Sequence, residues 1–156
     1  MVEDFDCGVE SLNRWLNNEA RRAQQSDTAR VWVWTDNPGA LQVRAYFAFA
    51  PSGIAREEIS GRMAGGQSGL IPGWLLGRLA LDARLQGSGL GEELLVDAIG
   101  RIAGAAQAGS GRVVIVDAVD DNGALFYAKY GFIPVKHTPN RLVIKLAIIH
   151  KAIGLA

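Results

Sequence analysis

The stretch Leu79-Ala-Leu-Asp-Ala-Arg-Leu-Gln-Gly-Ser-Gly-Leu-Gly-Glu-Glu-Leu-Leu95 joins an apolar run to an amphipathic one through a turn holding Gly87, Gly89 and Gly91. Upstream, Trp74 to Leu81 is apolar enough for a buried central strand. Downstream, Leu94, Leu95, Ala98, Ile99 and Ile102 recur at helical spacing. Glycines in such a turn let the backbone take positive φ and let a ligand approach the main chain closely. The first N–H groups of the following helix lack intrahelical partners and carry the positive end of its dipole. The turn is therefore a candidate anion site, suited to a pyrophosphate, made from Arg84, Gln86, Gly87, Ser88, Gly89, Leu90 and Gly91. It is not a P-loop, because no Gly-Lys-Ser/Thr is present. It is not a dinucleotide fingerprint either, because Glu92 stands three residues after Gly89 and the turn lies mid-chain.

Working outward, Leu12, Trp15, Leu16, Ala20 and Ala23 predict one amphipathic helix from Val9 to about Ala23. Arg30 to Thr35 and Leu41 to Ala50 predict a hairpin around Asn37-Pro38-Gly39. A short helical stretch is expected from Ile54 to Ile59, and a glycine-rich loop from Gly61 to Gly73. After the Leu90–Ala106 helix, Arg112 to Ala118 reads as a buried strand. Asn122 is the expected cap of a short helix ending at Tyr130, with Gly131 at C′. Phe132 to Val135 and Arg141 to Ala147 close the chain as strands. The order α-β-β-α-β-loop-α-β-α-β-β predicts a single mixed α/β domain over residues 1–156.

Composition narrows the function. Apolar residues are 49% and charged residues 21%, the balance of a soluble globular protein. No apolar run is long enough to span a bilayer and the acidic start is no signal peptide, so no membrane partner is expected. One cysteine excludes a disulfide framework and suits a cytoplasmic setting. Cys7 itself reads as a small packing residue, and no metal site is expected from two isolated histidines, His137 and His150. The tryptophans Trp15, Trp32, Trp34 and Trp74 read as core. Sixteen basic and sixteen acidic residues cancel, which argues against wholesale electrostatic binding to nucleic acid.

Arg84-x-x-Gly87-x-Gly89 resembles the Arg/Gln-x-x-Gly-x-Gly/Ala signature of the GNAT acetyltransferase superfamily. Asn122-Gly-Ala-Leu-Phe-Tyr-Ala-Lys-Tyr-Gly-Phe-Ile-Pro134 resembles that superfamily's block after the fifth strand, with its alanine offset at Ala124. The resemblance implies a central, mostly antiparallel sheet flanked by helices, and acetyl-CoA as co-substrate with no metal. It implies Tyr127 as the general acid at the thioester sulfur, with Asn122 and Phe126 beside the cofactor. It implies backbone N–H groups of Leu79, Ala80 and Leu81 at the oxyanion. No base stands out, which favours an α-amine acceptor over lysine, because a substantial share of an α-amine, about a tenth or more, is neutral near pH 7 while lysine is almost wholly protonated.

Phe5-Asp-Cys-Gly8, Leu12-x-x-Trp15-Leu16, Tyr46-Phe-Ala-Phe-Ala50 and Leu76-Gly-Arg-Leu-Ala80 are similar to the acetyltransferase toxins of bacterial toxin–antitoxin pairs. That resemblance implies acetylation of aminoacyl-tRNA, inhibition of translation, a ribbon-helix-helix antitoxin and a homodimer. Arg78, Arg14, Arg21, Arg22 and Arg44 would form the tRNA-facing surface. Two departures stand beside it: the neutral net charge, and only Met1 to Asp4 where the family carries a first strand. The alternatives are an acetyltransferase for a small amine or a protein N-terminus, and an inactive module that binds coenzyme A or a partner.

Overall fold

A computed structural model of the chain describes residues 4–154. The elements in order are α1 (Glu10–Asn18), α2 (Ala20–Gln25), β1 (Arg30–Thr35), β2 (Val43–Ala55), α3 (Gly61–Ala64), β3 (Leu70–Leu81), α4 (Leu90–Gly109), β4 (Val113–Asp117), α5 (Asp121–Lys129), β5 (Ile133–Pro134), β6 (Arg141–Lys145) and α6 (Leu146–Ala152). The strands are ordered β1-β2-β3-β4-β6-β5 in one six-stranded sheet. The pairs β1/β2, β4/β6 and β5/β6 are antiparallel, and β3/β4 is parallel. The expected mixed, mostly antiparallel sheet flanked by helices is what forms.

The chain divides into two compact units, one from the N-terminal side to Ala50 plus Arg78–Ala98, the other Pro51–Gly77 plus Ile99 to the C-terminal side. In the first, Phe5, Cys7, Leu12, Leu16, Ala20, Val43, Tyr46 and Ala80 form one apolar cluster. The Tyr46 ring stacks on Trp15 at 6.0 Å and its hydroxyl donates to Leu12 O at 2.8 Å, so this buried tyrosine leaves no polar atom unsatisfied. In the second, Ile54, Ile59, Met63, Ala64, Ile71, Val113, Ile115 and Val143 make the core. Fully burying each of the Val, Leu, Ile, Phe and Met side chains among them contributes about 1.5–3 kcal/mol.

Several elements depart from the sequence reading. The first helix breaks at Glu19, whose φ/ψ of −122°/−29° leaves the helical well while its N–H still bonds Trp15 O. No glycine or proline marks that break, and the apolar period runs through it. β2 continues through Pro51 and Gly53 to Ala55, so the stretch expected to be helical begins as strand and keeps only a 3₁₀ turn at Arg56–Glu58. The expected loop from Gly61 holds the short helix α3, capped by Ser60, whose hydroxyl accepts from Met63 N. Asp120, not Asn122, caps α5: its carboxylate accepts from Gly123 N at 2.8 Å, and Asn122 lies inside the helix, exposed. The last strand stops at Lys145, and Leu146-Ala-Ile-Ile149 turns into α6 with Leu146 and Ile149 buried three residues apart. The expectation about a first strand concerns Met1 to Asp4, of which Met1 to Glu3 lie outside the described residues. Among the described residues, no helix is long and apolar enough to cross a membrane.

Candidate active site

β3 ends at Leu81 and the chain turns at once through Asp82. This carboxylate is 1% exposed and caps the 3₁₀ turn Ala83–Leu85 by accepting from Arg84 N at 3.0 Å. Arg84 then closes on it in a fork, Nε to Oδ1 and Nη2 to Oδ2, both at 2.8 Å. The Arg84 guanidinium holds the Asp82 carboxyl well below the usual carboxylate range, and the carboxylate in turn raises the arginine. Asp6 N also points at Asp82 Oδ2, at 3.4 Å. Arg84, expected at the pyrophosphate, is thus already engaged by its own turn.

The glycines follow. Gly87 and Gly89 sit at φ of +83° and +85°, and a Cβ at either would meet nothing within 4 Å. Glycine is required by backbone conformation rather than by crowding, and the space in front of both is open. Ser88 Oγ donates to Leu85 O at 2.8 Å, which tightens the turn. Gly89 O accepts from Glu93 N at 3.4 Å, the first intrahelical bond of α4. The N–H groups of Gly89, Leu90, Gly91 and Glu92 consequently have no partner within the helix, as at any helix start. Gln86-x-x-Gly89-x-Gly91 satisfies the same glycine signature two residues on, a register that the sequence reading missed. It places the last glycine inside the first turn of α4.

The loop is braced by the segment Asp4 to Gly8. Asp6 O accepts from Ala83 N at 2.8 Å, and Cys7 O accepts from Gln86 Nε2 at 3.0 Å. The segment is itself fixed by Asn13, whose amide donates to Asp6 Oδ1 and accepts from Cys7 N, each at 3.0 Å. Gly8 N donates to Asp6 Oδ1 at 2.8 Å, and these two bonds lower the Asp6 carboxyl. Cys7 is 7% exposed and burial raises its thiol, as expected of a packing residue.

Upstream of the loop, β3 pairs with β4 from Gly73↔Val113 to Leu76↔Val116, and the register stops there while β3 runs on to Leu81. Leu79, Ala80 and Leu81 lie on that continuation. Arg78 sits there too, its guanidinium 4.5 Å from the Trp15 ring centroid, a cation–π contact that fixes it in place. Arg44 forks onto Asp36 at 3.0 and 2.9 Å, and Arg22 pairs with Glu19 at 2.5 Å. Arg14 and Arg21 are exposed and have no ion-pair partner among the described residues. Arg21 and Arg22 line a groove of about 880 Å³ bordered by Leu16, Val31, Val33 and Val43.

In the second unit, α5 presents Phe126 and Tyr127, and Gly131 at φ +93° ends the helix as the sequence requires. Tyr127 is 7% exposed, edge-on to Phe126 at 5.4 Å and to Phe132 at 5.6 Å. Its hydroxyl makes no hydrogen bond to the described residues, and burial, with the Asp117 charge second, pushes its ionisation upward. A tyrosine so held is protonated across the neutral range, a donor rather than an anion. The structure gathers the loop residues and the five arginines in the first unit and Tyr127, Phe126 and Asn122 in the second. Among the described residues, no group of three or more His, Cys, Asp or Glu side chains is placed to hold a metal ion.

No family model matches the chain. A tRNA-acetylating toxin of Mycobacterium tuberculosis is 34% identical to it over 131 residues, covering 84% of this chain and 77% of the relative. A probable toxin TacT of Sinorhizobium fredii is 26% identical over 159 residues, covering 96% and 87%. Among solved structures, a tyrosine-to-phenylalanine mutant of KacT superposes with a TM-score of 0.89 at 26% identity, covering 96% of this chain and 89% of that one. AtaT complexed with acetyl-methionyl-tRNAfMet gives 0.88 at 28% identity, over 97% and 91%. A mutant AtaT bound to the C-terminus of the antitoxin AtaR and acetyl-CoA gives 0.84 at 29%, over 97% and 89%. The chain belongs to the family of GNAT-fold tRNA-acetylating toxins, the acetyltransferase members of toxin–antitoxin pairs.

Proposed function

We propose that the chain transfers the acetyl group of acetyl-CoA to the α-amine of aminoacyl-tRNA and thereby inhibits translation. The observation that carries this is the open, positive-φ glycine loop at the start of α4, in a chain 34% identical to a tRNA-acetylating toxin. The free N–H groups of that helix start bind the pyrophosphate, and Gln86, Gly87, Ser88, Gly89, Leu90 and Gly91 shape the site, with Arg84 fixing its first turn. Leu79 to Leu81 supply backbone donors to the carbonyl oxygen as it becomes an oxyanion. The amine nitrogen bonds to the carbonyl carbon, the carbon–sulfur bond breaks, and Tyr127 donates its proton to the departing thiolate. The amine proton leaves through water, because an α-amine of pKa about 7.7–8.0 is roughly one-third neutral at pH 7.5, against about 0.1% for lysine. Asn122 and Phe126 flank the cofactor.

In this proposal the whole of 1–156 acts as one catalytic domain, a reading supported by structural matches that run over 96–97% of the chain. The unpaired Arg14 and Arg21, with Arg22, Arg44 and Arg78, face tRNA. The neutralising partner is a ribbon-helix-helix antitoxin whose tail covers the enzyme, a role supported by the AtaR-bound neighbour. The working form is a cytoplasmic homodimer.

Labelled acetyl-CoA tests the proposal, offered with bulk aminoacyl-tRNA, deacylated tRNA and free amino acids. Label on charged tRNA alone is the expected result, and the labelled amino acid names the acceptor. Label on free amines, or none from a protein that binds acetyl-CoA, overturns the tRNA reading. The loop has its own test in Gly89→Ala. A Cβ at φ +85° costs about 1–2 kcal/mol of strain and projects into the space that the ligand needs. Calorimetric titration is expected to show acetyl-CoA affinity reduced by about tenfold or more.

A further inference from the structure

Gln86 is exposed, yet both hydrogens of its carboxamide are committed, one to Leu81 O at 2.9 Å and one to Cys7 O at 3.0 Å. Two carbonyl partners fix the orientation of the amide, since only the NH₂ end can serve both. Leu81 closes β3, and Cys7 belongs to the Asn13-fixed segment beneath the loop. A single side chain therefore ties the strand end, the N-terminal segment and the residue that immediately precedes Gly87. With both N–H groups spent, Gln86 cannot donate to a phosphate without releasing one of those ties.

We propose that Gln86 is a positioning residue for acetyl-CoA, acting through the carbonyls of Cys7 and Leu81 rather than touching the ligand. The Phe5-Asp-Cys-Gly8 block then has a function in the reaction: it is the fixed anchor against which the pyrophosphate loop is held. This inference rests on the acetyl-CoA reading of the loop. Water replaces both hydrogen bonds when the exposed side chain is removed, so global stability changes little. Water does not restore the distance between two backbone segments, so the loop loses its set position.

The test uses the full chain with Gln86→Leu, Gln86→Glu and Gln86→Arg. Glutamate keeps the shape of glutamine and turns an oxygen toward both carbonyls, whereas arginine keeps a long stem and donors that reach both. Leucine and glutamate are each expected to raise the acetyl-CoA KM and dissociation constant about tenfold, with kcat within about twofold and the melting temperature nearly unchanged. Arginine is expected to restore parental affinity. Parental affinity in the leucine and glutamate variants overturns the inference, as does an arginine variant no better than leucine. A loss confined to kcat also overturns it. A parent chain that fails to bind acetyl-CoA is a different result: it removes the acetyltransferase reading, and this inference with it.

Discussion

Tyr127→Phe is expected to lower kcat for acetyl transfer by about 10²–10⁴-fold while leaving the acetyl-CoA dissociation constant within about twofold of the parent's. In the proposed reaction the ring contributes packing and the hydroxyl contributes chemistry, and the substitution separates them. Phenylalanine keeps the edge-on contacts with Phe126 and Phe132. The hydroxyl has no hydrogen-bond partner among the described residues, so its removal leaves no buried group stranded. Its raised pKa makes Tyr127 a poor acid toward bulk solvent, but in the proposed reaction a thiolate forming beside it would receive a hydrogen bond as charge appears. The same shift means that no alkaline fall in kcat below about pH 10 should arise from Tyr127. Steady-state kinetics with equilibrium binding decides it. Unchanged kcat would remove Tyr127 from the reaction, and a matching loss of affinity would make it a cofactor contact instead.

Gly73→Ala is expected to destabilise the chain by about 3 kcal/mol, toward the upper end of what overpacking costs. Gly73 faces Val113 across the parallel β3/β4 pair, and a Cβ there would lie 2.6 Å from Val113 O and 2.7 Å from Val113 Cγ2. One obstacle is backbone in the middle of the sheet, so no rotamer change relieves it. Arg112 N bonds Pro72 O at 2.7 Å, which pins the same neighbourhood. Gly77→Ala on the same strand is the control, because its Cβ would meet only the Leu75 side chain at 3.8 Å. Urea denaturation should show a lower midpoint for Gly73→Ala with an unchanged slope, and a near-parental midpoint for Gly77→Ala. Equal midpoints would mean that β3 and β4 separate at that point at little cost.

What could be read in the sequence was whatever a local rule dictates. Gly87 and Gly89 were legible because positive φ selects glycine, and Gly131 because a helix ended there. Asp120 was passed over for Asn122 since both are competent caps and only the φ/ψ of residue 120 separates them. Leu146 and Ala147 read as the end of a strand because the β-branched Val143 and Ile144 lead into them, but the chain turns into α6 there and buries Leu146 and Ile149 on one helix face. The commitments of Arg84 to Asp82 and of Gln86 to Cys7 were invisible for another reason. Side-chain chemistry allows many partners, and the Cys7–Gln86 contact spans a separation of 79 residues.

That long separation has a consequence for synthesis. Each compact unit is sewn from two stretches of chain, the first needing Arg78–Ala98 to complete what the residues up to Ala50 begin. A ribosome releases Asp6, Cys7 and Asn13 early, but the groups they brace, Asp82, Ala83 and Gln86, emerge only after most of the first hundred residues. The second unit waits longer, for the C-terminal elements. Closing such distant contacts is slow, and the nascent chain must meanwhile carry an exposed, unfinished apolar cluster. A polypeptide cut before Gln86 would lack the glycine turn on which the proposed cofactor site rests, and would leave both compact units incomplete.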